Sequence, residues 1–245
     1  MNKHLARPCI LGGILGSLAL AGCDRIPGKP QLSDRWEPPD KITDFNTLYV
    51  TNCRACHSAG PELAPSLAMN NPMYLAVIPR DTLRHIVATG VKGSLMPGFA
   101  DSQGGDLNDP QVDSLVNGIY GLAKNQEKPA DLPPYSAPLG DPGRGAAAYN
   151  TYCASCHGQD GNGSPKGGSI VDHDYLHLVT DQYLRSVTIA GRPELGMPNY
   201  QQYVANKPMS ADEIADVVAW IASHRDRRNP DMAASSTQST NPNHE

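Results

Sequence analysis

Cys53-Arg54-Ala55-Cys56-His57 and Cys153-Ala154-Ser155-Cys156-His157 are two copies of one pattern, C-x-x-C-H, set 100 residues apart. Two thiols three positions apart lie on one side of a helical turn. Such a run is the attachment signature of a c-type haem. The thiols bond the two vinyl groups of one porphyrin, and the adjacent histidine reaches the iron from the proximal face. A redox C-x-x-C or half of a zinc site would use the same cysteines. Duplication, with histidine next in line both times, argues against those readings. We read two covalent haems, one on Cys53, Cys56 and His57 and one on Cys153, Cys156 and His157.

The spacing downstream repeats as well. Met96-Pro97 follows His57 by 39 residues, and Met197-Pro198 follows His157 by 40. A thioether sulfur opposite histidine is the usual axial pair of an electron-transfer cytochrome c. Gly90 and Gly191 each precede their methionine by six residues, while Phe99 and Tyr200 each follow by three. Met69, Met73 and Met209 lack this matched context and read as core filler. The chain therefore carries an internal repeat of about 100 residues, one haem to each copy. On these residues it resembles class I cytochromes c, in the diheme arrangement of two fused cytochrome domains, over roughly residues 41–126 and 141–228. The resemblance implies a mostly α fold: two tandem small all-α cytochrome c domains, each wrapped around one covalent haem. It also implies that Met96 and Met197 complete the two irons.

Composition agrees. Aromatic residues make up only 6% of the 245, lean for two small cores, and porphyrin would supply the missing apolar surface. Four of the six cysteines are committed to haem, which leaves no disulfide framework. The net charge is −5, with 6 basic against 7 acidic residues in 41–126 and 8 against 10 in 141–228. Without a basic block, nucleic acid is excluded as an expected partner.

The N-terminus reads as a targeting segment. Lys3 and Arg7 precede a small, apolar run from Cys9 to Ala19, too short to span a bilayer by itself. Leu20-Ala21-Gly22-Cys23 matches the lipobox of bacterial lipoproteins. That match implies a signal peptide over 1–22 and lipidation of Cys23; an ordinary secretory signal and an uncleaved anchor are the other readings. Asp24 resembles the signal that keeps lipoproteins at the inner membrane of Gram-negative cells. Residues 23–40, with Pro27, Pro30, Pro38 and Pro39, form the expected flexible tether. A coil of that length averages roughly 20–25 Å end to end.

Within the first domain, Phe45, Tyr49 and Cys53 fall at steps of four on one helix leading into the haem motif. The carbonyl of Pro65 or Pro61 is expected to accept the Nδ1 proton of His57. Asp81 caps the expected middle helix, with Leu83, Ile86 and Val87 on its apolar face and Gly90 as terminator. Asp109-Pro110 opens the last helix, whose buried stripe is Val112, Leu115, Val116 and Ile119. Residues 127–140 form a stiff proline-rich linker. In the second domain Asp141-Pro142 starts the first helix, and Asp181 and Gly191 bracket the middle one. The box Ser210-x-x-Glu213 opens the last, before Ile214, Val217, Val218 and Ile221. Residues 229–245 are polar and expected to be disordered.

Two side features complete the reading. His173 and His177 stand four apart without a third ligand pattern, and His224 sits in a basic helix end that offsets the dipole. In the family resembled, a small residue on the first helix faces an aromatic on the last. Gly145 and Trp220 fit that pair, while Phe45 and Gly118 occupy the corresponding places with the roles exchanged. Tyr120 is the competing partner of Phe45.

An iron bound by histidine and methionine exchanges electrons but offers no vacant site. The expected function is a membrane-tethered diheme cytochrome that relays single electrons between redox proteins or a membrane respiratory complex. Because covalent haem attachment follows export, the expected location is the periplasmic face of the inner membrane, lipid-anchored. Other readings are a diheme redox enzyme, such as a peroxidase or a sulfur-compound dehydrogenase, and a fixed haem subunit of a quinol-oxidising or terminal oxidase complex. The diheme subunits of some haem-copper oxidases look similar in layout, although those use a transmembrane helix as anchor.

Overall fold

The computed structural model describes residues 36–58, 64–123 and 130–225. The expected signal peptide, Cys23, most of the tether and the 229–245 tail lie outside the described residues. The chain divides into two compact units, Met1–Lys41 and Ile42–Glu245. In the first, a 3₁₀ turn at Pro39–Lys41 is closed by the Lys41 N–H on the Pro38 carbonyl at 2.8 Å.

Regular secondary structure among the described residues of the second unit is helical. Its first repeat holds α1 (Phe45–Asn52), α2 (Pro72–Val77), α3 (Arg80–Thr89) and α4 (Asp109–Gly121). Its second holds α5 (Pro142–Tyr152), the single turn α6 (Ala154–His157), α7 (His173–Leu178), α8 (Asp181–Ala190) and α9 (Ala211–Ala222). Strand pairing among the described residues is limited to three isolated bridges, Ala100 with Leu107, Ser164 with Gly167 and Arg192 with Met197. The stripes read from helical periodicity are the ones buried. Val112, Leu115, Val116 and Ile119 are at most 3% exposed, and Ile214, Val217, Val218 and Ile221 at most 5%. Met69, Met73 and Met209 are core residues.

Helix starts follow the side chain that reaches the third N–H, which shifts several of them from expectation. Asp141 and Ser210 cap α5 and α9 as read, and Ser210 completes its box with Glu213. The last helix of the first repeat is capped by Asn108, in a reciprocal box with Gln111, so Asp109 lies inside its first turn. Thr180 rather than Asp181 caps α8. Pro79 precedes α3 without a side-chain cap, and Asp81 stands in the first turn, where a carboxylate complements the dipole. The short helices α2 and α7 were not anticipated. Asn71 and Asp172 cap them, each accepting the N–H three residues on.

The first and last helices cross in each repeat, α1 on α4 and α5 on α9. A Cβ on Gly118 would strike the Phe45 ring, and a Cβ on Gly145 would strike the Asp216 carbonyl and the Trp220 Cβ. The exchanged pair is therefore in contact in both repeats. Tyr120 instead sends its hydroxyl to the Ile78 carbonyl at 2.7 Å. Beside the second crossing, buried Asp216 accepts two bonds from the Arg144 guanidinium and one from the Asp141 N–H, all at 2.7–2.8 Å. His224 serves its own helix end through Nδ1, 2.8 Å from the Trp220 carbonyl, whereas the Arg225 side chain reaches another helix. The His224 ring meets the edge of Trp220, and Arg225 donates to the Leu176 and Val179 carbonyls at the end of α7.

The two repeats and residues 130–140 share one contiguous core. Residues 130–140 contain no helix and run as a strap. Buried Arg185 holds the Pro134 and Tyr135 carbonyls, Gln182 holds the Tyr135 carbonyl, and the Gly140 N–H donates to Ala215. A fourth anchor is the Tyr200 hydroxyl on the Asp131 carbonyl.

The crossings predict different responses to one methyl group. Gly118→Ala gains about 1 kcal/mol of helix preference against an overpacking cost of about 1–3 kcal/mol. Trimming the ring in Gly118→Ala/Phe45→Leu is expected to recover most of the loss. Gly145→Ala meets backbone, so its cost lies at the upper end, about 3 kcal/mol, and Trp220→Leu does not rescue it. Denaturant titration of the four variants checks this.

The Arg144 fork, followed by the Asp141 N–H, holds the Asp216 carboxyl below the usual carboxylate range. A depressed carboxylate stabilises fully above its unfolded value, about 4, and that stability is lost as the pH falls through the lower folded value. Asp216→Asn is expected to destabilise most at neutral pH, with the gap to the parent closing below about pH 4.

Candidate haem sites

Each haem motif is the C-terminal extension of a first helix. The Cys53 N–H ends α1 on the Tyr49 carbonyl, and the Cys153 N–H ends α5 on the Tyr149 carbonyl. The chain then tightens so that the His57 and His157 N–H groups bond the Cys53 and Cys153 carbonyls at 2.8 and 3.0 Å. One tyrosine in each repeat holds this turn from beneath: the Tyr49 hydroxyl donates to the His57 carbonyl and the Tyr149 hydroxyl to the Gly158 carbonyl. Tyr149 also stacks on Trp220 at 4.1 Å, and Tyr49 packs on Phe45 at 5.3 Å. The aromatic of each crossing is thus also the support of each motif.

The imidazoles are oriented by backbone. His57 Nδ1 lies 2.9 Å from the Leu67 carbonyl, and His157 Nδ1 lies 2.8 Å from that of Gly168. A carbonyl only accepts, so Nδ1 carries the proton in both rings and Nε2 keeps its lone pair for a metal. The acceptor is neither Pro65 nor Pro61: the Pro65 carbonyl takes a bond from Arg192, and Pro61 lies outside the described residues. Burial, above all, lowers the His57 pKa, against the Leu67 bond that raises it; the Arg192 charge lowers it further. That keeps the ring neutral, the form that ligates. Gly167 lets the loop pass close over His157, where a Cβ would lie 3.1 Å from the ring.

All four motif thiols are free, Cys53 and Cys153 half-buried, Cys56 and Cys156 exposed. Burial pushes the Cys53 thiol up to about 11 and Cys153 to about 12. A thioether carries neither charge nor proton, so it suits surroundings that already disfavour thiolate. Two free thiols and an imidazole with Nδ1 committed, adjacent on one turn and repeated, fit a c-type haem in each repeat.

Met96 and Met197 are half-buried on the loops that follow α3 and α8. Gly90 and Gly191 sit at φ 73° and 68°, where a Cβ would strike the Met96–Pro97 and Met197–Pro198 backbone. They end the helices and also let the methionine loop fold back over the helix end. The Val91 N–H donates to the Met96 carbonyl at 3.0 Å, as the Arg192 N–H does to Met197 at 2.8 Å. Beyond each methionine, the Phe99 and Tyr200 N–H groups bond the Val87 and Ile189 carbonyls at 3.1 Å. Both methionines are thereby fixed to the middle helix of their repeat.

Other histidines have separate roles. The His173 and His177 rings lie 4.2 Å apart with His177 Nδ1 on the His173 carbonyl, and the described residues contain no group of three metal-ligand side chains there or elsewhere. His85 is exposed on α3. Sequence reasoning missed Asn71 and Arg192, which reach between the repeats. Their signal was a break in the repeat: Asp172 caps α7 as Asn71 caps α2, and Val91 follows Gly90 where Arg192 follows Gly191.

Two solved structures are similar in part. A Kuenenia stuttgartiensis reducing HAO-like protein complex aligns with 77% of this chain and 99% of its own at 16% identity and a TM-score of 0.44. The thiosulfate dehydrogenase TsdBA from Marichromatium purpuratum aligns with 92% of this chain and 56% of its own at 17% identity and a TM-score of 0.33. No curated protein matches the sequence. The family described as "Cytochrome C oxidase, cbb3-type, subunit III" matches twice, over residues 40–117 and 140–221, one match to each haem motif and its methionine. A chain matched over more than half its length, with a c-type haem donor set in each matched segment, belongs to this cytochrome c family and is a diheme member of it.

Proposed function

We propose that the protein is a membrane-tethered relay, passing single electrons between its two haems and redox partners on the periplasmic face of the bacterial inner membrane. The observation that carries this reading is the matched pair of sites. Each imidazole is committed through Nδ1 to backbone, and each is followed by a methionine loop bonded to the middle helix. Bound haem supplies a one-electron ferric–ferrous couple, and methionine ligation raises its potential. His57 and Met96 would hold the iron of one haem, and His157 and Met197 that of the other. With histidine and methionine as its ligands, neither iron would offer oxygen, peroxide or nitrite an open coordination site.

Leu95 and Leu195, next to Met96 and near Met197, are 80% and 52% exposed. Apolar residues at both methionine loops, on repeats of near-balanced charge, support docking through apolar contact more than long-range steering. The lipobox ending in Cys23 supports a lipid anchor, and no helix among the described residues is long and apolar enough to cross a membrane. The oxidase subunit named in the family description favours a second form of the same reading, a haem subunit fixed in a terminal oxidase complex. Isolation from membranes in mild detergent separates the two. A relay comes away alone, and a fixed subunit comes with its complex.

In the oxidised protein the near-infrared sulfur-to-iron band is expected, and Met96→Ala and Met197→Ala each remove about half of it. Ready carbon monoxide binding by the reduced, unsubstituted protein would instead favour a diheme enzyme. Cys23→Ser behind a conventional signal is expected to release soluble, fully haem-loaded protein that supports respiration poorly. Full respiration with that soluble form, at native expression, would make the anchor incidental.

A further inference from the structure

Arg192 belongs to both haem sites. Its backbone is paired in both directions with Met197, N–H to carbonyl at 2.8 and 3.0 Å. Its side chain leaves the second repeat and donates to the carbonyls of Ala64, at 2.6 Å, and Pro65, at 3.1 Å. Those carbonyls begin the stretch in which the Ser66 N–H bonds Cys56 and the Leu67 carbonyl orients His57. The Arg192 side chain is 11% exposed, with its Nε on Glu194 at 2.8 Å. The contact is returned from the other side. Buried Asn71 donates its amide to the Ala190 and Gly191 carbonyls at 3.3 and 3.4 Å, at the root of the Met197 loop. The methionine loop of one haem site and the histidine loop of the other are thereby latched in both directions.

Both latch residues depart from the repeat. Val91, in the place of Arg192, has no charged group to send across. Asp172, in the place of Asn71, also caps its helix but lacks the amide NH2 that Asn71 sends to the carbonyls. Capping and loop closure are met in the other copy without these residues, so their additional groups serve the contact between copies.

We propose that Arg192 couples the two haem sites, holding them in one geometry for electron exchange and placing a cation beside the first. The inference rests on the relay reading. Exchange moves one electron, oxidising one iron from ferrous to ferric as it reduces the other; no bond breaks and no proton leaves. A cation at the His57 loop disfavours the more positive ferric state there, partly offset by Glu194. The first haem is thereby the favoured resting place of an electron shared by the pair. Arg192 is a positioning residue, acting through the two loops it joins.

The test uses the haem-loaded full chain, reduced by one electron in a light pulse, with the two haems told apart by their axial-methionine NMR signals. Arg192→Val imposes the first repeat's residue. It is expected to slow interhaem exchange about tenfold and to shift the electron's distribution severalfold away from the first haem, while haem content and the near-infrared bands stay as in the parent. Arg192→Lys, keeping charge without the fork, is expected to restore the distribution more than the rate. Asn71→Asp keeps the helix cap and breaks the latch from the other side, so it reports if Arg192→Val fails to fold; slower exchange is expected there too. Exchange and distribution equal to the parent in whichever of these variants folds would overturn the proposal. Failure of the relay reading looks different: the unsubstituted protein would bind carbon monoxide, whatever Arg192 does.

Discussion

In each repeat the helix that delivers the haem motif crosses the last helix at a point where one of the two chains has no side chain. Gly118 makes room for the Phe45 ring in the first repeat, and Gly145 lets α5 approach the Asp216 carbonyl and Trp220 in the second. Only a missing Cβ allows helices to meet so closely while an aromatic fills the space beside them. The aromatic then supports a tyrosine, Tyr49 or Tyr149, whose hydroxyl closes the haem turn. Helix crossing, tyrosine and motif form one mechanical chain in each half. The aromatic can come from either helix because the volume at the crossing is what must be kept.

Around that frame the donor groups are placed by backbone rather than by other side chains. Leu67 and Gly168 each meet the imidazole through a backbone carbonyl, and Leu67 also buries its side chain in the core. What matters is the loop path that brings the carbonyl to Nδ1. The methionine loops obey the same logic. Gly90 and Gly191 take a left-handed conformation and leave no Cβ in the way, so the loop returns onto its own helix. Fixing ligands through backbone limits the rearrangement that accompanies a change of charge at an iron, which suits a carrier of electrons.

The two copies are alike where each must hold a haem and unlike where they meet. Asn71, Arg192, the Arg185 fork on the strap and the Tyr200 bond to Asp131 join parts of one compact unit rather than repeating within each copy. Two independent cytochromes on a loose linker would have no use for a buried arginine holding linker carbonyls, since an unpaired cation is costly to bury.

Sequence by itself determined the two haem motifs, the matched spacing of the methionine loops, the helical class and the buried stripes. Each of these is written in contiguous residues or in a helical period, and local chemistry reads both. The exchanged glycine–aromatic pair was also legible, because the repeat supplied its own alignment. Helix starts were legible only to within one or two residues: Asn108 and Thr180 outreach their aspartate neighbours, and Pro79, two before Asp81, has no capping group to offer. Tertiary structure alone decided which carbonyl meets each imidazole, because a loop's path depends on what it packs against. Pro65 was a sensible candidate for His57 until Arg192, 127 positions away, took its carbonyl. Contacts at that separation have no period and no motif. They exist only because two folded halves were brought face to face.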